Sequence, residues 1–183
     1  MRRRTTFGGM AHALNKLPRP PRAVAEEILG SLGVLAKAEP HAVRAALELT
    51  IEKGDAAFAS YAEIVEKVVN DLVGLLASGA QIDLDPLIES LLEEERSAAR
   101  SKRESERRAS VDLRRLAKST PDKLAVINEV LQNALARADR VAAMCRDARW
   151  RLMEARSYYQ PGKPVGPMRG EPWDADEYLK TLG

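Results

Sequence analysis

A chain of 183 residues has room for one compact domain with an extension or tails. Its hydrophobic content of 45% suffices for a core, but at 4% aromatic content that core must be built from Leu, Val, Ile and Ala, as helical bundles are. The single cysteine, Cys145, excludes an intramolecular disulfide framework, and the formal net charge of +2 gives no overall bias towards an anionic partner.

The charge is nevertheless unevenly placed. Residues 1–22 carry six basic side chains and no acid; residues 23–95 carry four basic against fifteen acidic, a balance of −11; residues 96–159 carry sixteen against eight, a balance of +8. Such asymmetry serves nucleic-acid binding, pairing between subunits, or solubility alone. The longest apolar runs, such as Val68 to Leu76, are interrupted by Asn70 and Asp71 and fall short of the roughly 20 residues a membrane span needs. The segment after the N-terminal arginines is too polar and glycine-containing for a signal peptide, so a cytoplasmic location is expected.

In chain order, residues 1–20 read as a basic, flexible arm ending in Pro18 and Pro20. Val24, Ile28, Leu32 and Leu35 then mark a first helix, weakened by Gly30 and Gly33. A second, short helix is expected from Pro40 to Gly54, with Val43, Leu47 and Ile51 inward. Asp55 would cap a third over 56–78 that stops at Gly79. These helices read as a small acidic bundle over 21–79.

Asp85 and Pro86 open a fourth helix whose seam runs through Ile88, Leu92, Ala99, Ala109, Leu113 and Leu116, with a polar, solvated middle. Thr120, Pro121 and Asp122 start a fifth. Leu124, Ile127, Leu131, Ala134, Ala138, Val141, Cys145, Ala148, Leu152, Ala155 and Tyr159 recur there at steps of three and four, predicting one unbroken helix on the order of 58 Å long. So long a rod must lie against another. The expected fold is therefore all-α: a small N-terminal helical bundle plus a long antiparallel, coiled-coil-like helical hairpin over 85–159, with extended N- and C-terminal tails.

Residues 160–183 form a Pro/Gly-rich tail that ends in Trp173, Tyr178, Leu179 and Leu182 among acidic side chains. They read either as a docking peptide of the helix-in-groove type or as a segment that folds back on its own bundle. With Leu124 set as heptad position a, Trp150 falls on the outer face between Arg149 and Arg151. An outward tryptophan beside arginines indicates a surface that becomes covered, by a partner or by the tail or the first three helices.

No catalytic, cofactor-binding or metal-binding constellation emerges, and neither a cofactor nor a small-molecule substrate is expected. His12 and His41 have no neighbour at metal-ligand spacing, and Glu93, Glu94 and Glu95 diverge around a helix. Asp83 and Asp85 suit capping, and Cys145 falls on the buried seam.

The leading reading is a non-enzymatic helical interaction protein, an assembly, scaffold or adaptor subunit. It would self-associate or form a hetero-complex through the 124–159 seam, with Trp150, Trp173, Tyr178, Leu179 and Leu182 as partner-binding residues. The alternative is sequence-independent nucleic-acid contact through Arg2, Arg3, Arg4, Arg100, Arg103 and Arg107. A third is an inhibitor or antitoxin-like protein whose C-terminal tail binds a target.

Overall fold

The computed structural model describes residues 17–159 and 172–175, and over these the chain is all-α, with no strand. Among the described residues five helices follow in order: α1 (Val24–Leu35), α2 (Pro40–Ala77), α3 (Asp85–Ser119), α4 (Pro121–Ala136) and α5 (Arg140–Tyr158). None of the helices in the described residues is long and apolar enough to cross a membrane.

Local chemistry sets most of the ends. Gly79 adopts φ of 85°, and the Gly79 and Ala80 amides donate to the carbonyls of Leu76 (2.9 Å) and Leu75 (3.0 Å). This is a Schellman closure, which needs a residue without Cβ strain at that position. At the start of α3 the Asp83 carboxylate accepts the Asp85 amide at 3.1 Å, satisfying a donor that the helix itself leaves unpaired. Thr120 precedes Pro121, the first residue of α4, where the missing proline N–H costs nothing.

Two expected boundaries are corrected. The short helix ending at Gly54 and the one beginning after Asp55 are a single helix, α2, running unbroken from Pro40 to Ala77. Gly54 is kept there by packing. A Cβ at this position would lie 2.2 Å from the Cγ2 methyl of Val24 at the start of α1, so the glycine admits a close approach and does not stop the helix. Asp55 caps nothing; its carboxylate takes Arg137 at 3.1 Å and Arg140 at 3.3 Å.

Conversely, the fifth helix is not one rod. Residues 137–139 form a turn between α4 and α5, in which the Ala138 amide donates to Leu135 (3.1 Å) and Arg140 to Arg137 (3.2 Å). These three-residue-back bonds are of the 3₁₀ type, an overwound turn rather than a Gly or Pro break. Of the two arginines held by Asp55, Arg137 opens this turn and Arg140 is the first residue of α5.

The chain groups into two compact units, each drawing on both the 21–79 and the 85–159 stretches. One comprises Pro20–Ser60 and Glu95–Ala143. Its core gathers Ala25, Ile28, Leu29, Leu32 and Leu35 of α1 and Val43 and Leu47 of α2. Ala109 and Leu116 of α3 and Ile127, Leu131, Ala134 and Leu135 of α4 complete it. Lys123 donates to the Ala36 carbonyl at 2.8 Å, supplying a cation at the carbonyl end of α1. Lys102 of α3 meets Asp139 at 3.1 Å, while Leu116 and Leu124 share the same core, so the two strokes of the chain run antiparallel there. The expected polar middle of α3 is not wholly solvated: Ser105 is buried and the Ser101 hydroxyl bonds to Glu26.

In the other unit the described residues are 17–19, 61–94, 144–159 and 172–175. Val65, Val69, Leu72 and Leu76 of α2 are buried, as are Met144, Cys145, Ala148, Leu152 and Ala155 of α5. The small alanines of α5 are thus core, as their seam spacing predicts. On α3 the buried line runs through Leu87 and Leu91, one residue before the expected Ile88 and Leu92, which are half-buried. Arg156 pairs with Asp85, setting the end of α5 beside the start of α3.

The helix interiors suggest a stability test. Gly30 and Gly33 lie on the exposed side of α1 with nothing within 4 Å of an added Cβ. Gly30→Ala and Gly33→Ala are each expected to raise the unfolding free energy by up to about 1 kcal/mol through helix propensity. Gly54→Ala, which forces the stiff Val24 side chain aside, should instead lower it by about 1–3 kcal/mol. Chemical denaturation of the three variants checks both signs.

Candidate protein-interaction site

Trp173 does not project into solvent. It is 8% exposed and is seated on the helices of its own unit. The Asn70 side chain grips its backbone twice: the Trp173 amide donates to Asn70 Oδ1 at 3.0 Å, and Asn70 Nδ2 donates to the Trp173 carbonyl at 2.9 Å. The indole N–H donates to the Asp147 carboxylate on α5. Two residues on, the Ala175 amide donates to Glu66 Oε2 at 3.3 Å, and Ala175 is itself buried. Glu66 and Asn70 stand four apart on α2, hence on one face. Of the two readings of the tail, the described segment adopts the folded-back one; Tyr178, Leu179 and Leu182 lie outside the described residues. Asn70 was legible as a polar residue inside an apolar run, though nothing in the sequence paired it with Trp173.

Trp150 remains on the surface. It is 58% exposed, with the Arg149 guanidinium 5.8 Å from its ring centroid. The expectation that the tail or the first helices cover it is not met among the described residues: the tail tryptophan is engaged at Asp147, while Trp150 points outward as its heptad position predicts.

A third feature lies on α3 in the first unit. Arg96, Arg100, Arg103, Arg107, Arg114 and Lys118 are all exposed, and their spacing of three, four or seven residues puts them on one line of the helix. At 1.5 Å per residue the line is about 33 Å long. Arg107 meets Glu104 at 3.5 Å, a well-exposed pair worth at most about 1 kcal/mol and readily exchanged for another anion. Arg2, Arg3 and Arg4 lie outside the described residues.

A cavity of about 120 Å³ opens beside the Asp55 pairings, between Val24, Gly54, Phe58, Arg137 and Arg140. The Arg140 guanidinium lies 5.9 Å from the Phe58 ring centroid, so apolar wall and cation are joined there. Among the described residues no group of three or more His, Cys, Asp or Glu side chains could hold a metal ion. His41 is exposed at the start of α2, and His12 lies outside the described residues.

Cys145 is fully buried, its sulfur 3.9 Å from the Tyr61 hydroxyl. Tyr61 is 3% exposed. Burial raises the phenol pKa far above its ordinary value near 10, and the neighbouring Cys145 and Glu94 push it in the same direction. The unfolded chain therefore releases this proton above about pH 10 while the folded chain keeps it. The stabilising contribution is complete below that pH and is lost as pH rises, at about 1.4 kcal/mol per pH unit. Tyr61→Phe is expected to flatten the alkaline fall in stability by that slope, as read from denaturant midpoints between pH 9 and pH 11.5.

No family model, no curated protein and no solved structure matches this chain.

Proposed function

We propose that this chain is a non-enzymatic helical interaction protein, an assembly or adaptor subunit that docks protein partners, a second copy of itself included. The observation that carries this reading is Trp150, a large aromatic 58% exposed on a helix whose other face is core, with an arginine against its ring. Tryptophan and arginine are the residue types that dominate interface energetics, and an uncovered indole is a surface that gains from being buried. In this reading α3 with α4 and α5 serves as a coiled-coil-like hairpin that displays Trp150, and the chain works in the cytoplasm, in keeping with a lone, buried thiol.

The test uses Trp173→Phe, which leaves Trp150 as the sole tryptophan of the two. Dilute protein is expected to emit close to free indole in water. With rising concentration the emission should shift to the blue as sedimentation shows dimer, and Trp150→Ala added to this variant should weaken that dimer at least tenfold. A monomer at high concentration with unshifted emission defeats the proposal.

A second reading, sequence-independent contact with a nucleic-acid backbone, rests on the cationic line along α3. Basic side chains on one helix face, a few ångströms apart, match the repeating negative charge of a phosphodiester chain better than scattered charge does. It predicts affinity for DNA or RNA of any sequence that collapses with salt.

A further inference from the structure

The seat of Trp173 has the anatomy of a peptide-binding groove. Asn70 bonds only main-chain groups, which every peptide presents, and Glu66 takes another main-chain amide two residues further on. Selectivity comes from the place of the indole and from Asp147, which accepts its N–H. Main-chain bonds for affinity with side-chain pockets for identity is the usual division of labour in peptide recognition.

Four of the segment's hydrogen bonds fall on Trp173 and Ala175. A Trp173 segment would make the same bonds whichever chain delivered it. In the sequence, residues 160–171 separate Tyr159 from Pro172, a tether that spans up to about 40 Å when extended.

We propose that the Asn70, Asp147 and Glu66 seat also receives the Trp173 segment of a second copy, so that two chains assemble by exchanging tails. The inference rests on the interaction-protein reading but uses residues distinct from the Trp150 surface. Exchange of an identical element is a low-cost route to a dimer, because every bond broken within a chain is remade between chains. A tethered tail competes at an effective concentration on the order of millimolar, so exchange in the native chain grows with protein concentration.

The experiment mixes two full-length variants. Trp173→Ala keeps the seat but lacks its ligand; Asn70→Ala keeps the ligand but lacks the backbone grip. Sedimentation of the mixture is expected to show a heterodimer, with the tail of the Asn70→Ala chain in the vacant seat. Each variant alone should self-associate at least tenfold more weakly. Placing Trp150→Ala in both chains should leave the heterodimer intact, which separates failure of tail exchange from failure of the Trp150 surface. A mixture that sediments as monomers at millimolar concentration, with both variants helical by circular dichroism, overturns the proposal. Should either variant lose helicity, a labelled peptide of residues 168–180 is added to the wild-type chain at several millimolar. Binding that Trp173→Ala within the peptide weakens at least tenfold supports the proposal, and absence of binding overturns it.

Discussion

Leu131→Ala is expected to lower the unfolding free energy by about 2–5 kcal/mol. Leu131 is fully buried in α4 and belongs to the core that α1, α2, α3 and α4 fill together. Truncation removes its transfer free energy and leaves a cavity, because neighbours drawn from several helices cannot all relax into it. Against a typical stability of about 5–15 kcal/mol this is a large fraction. Leu49→Ala on α2, at a site already 49% exposed, should change stability by less than about 0.5 kcal/mol. Urea titration checks the pair: the Leu131→Ala midpoint should fall with an unchanged slope. Equal midpoints would mean that this helix packing is wrong.

Reversing charge at Arg100, Arg103 and Arg107 together should abolish nucleic-acid binding if the α3 line tracks phosphates. Six cations in contact give a slope near −5 in log affinity against log salt, about a thousandfold loss between 50 mM and 200 mM. The triple substitution to Glu removes three of those contacts and places three like charges in the path of the ligand, and its effect on affinity should exceed a hundredfold. Arg108→Glu, exposed on the same helix but a third of a turn off the line, should cost far less. Affinity measured by fluorescence anisotropy with a random-sequence duplex decides the matter. Equal losses for the two variants would show that net charge, not the line, is read. No measurable binding by the wild-type chain would remove the second reading and leave the protein-interaction reading in place.

The turn at 137–139 shows where sequence patterns stop being informative. The seam from Leu124 to Tyr159 keeps its spacing straight through it, and neither Gly nor Pro marks the place. What accompanies the turn is Asp55, 82 residues upstream of Arg137, which holds both Arg137 in the turn and Arg140 just after it. A carboxylate that looks like a cap beside a glycine becomes an ion-pair partner once α2 continues past it. Likewise Gly54 reads as a stop only if one ignores Val24, whose methyl group occupies the space a Cβ would need. Trp150 and Trp173 were both singled out by residue type, but only three-dimensional placement separates them. One stays outward beside Arg149, and the other is gripped by Asn70, which no local pattern connects to it.

Helical class, the ends at Gly79, Asp85 and Pro121, and the burial of Ala134, Ala148 and Ala155 were written in the chain, because capping and periodicity act over one or two turns. Fusion of two expected helices into α2, division of another at residues 137–139, and the choice of which tryptophan is covered were decided by tertiary packing. Each depends on a partner tens of residues away, Val24, Asp55 or Asn70, whose proximity exists only after the helices have assembled.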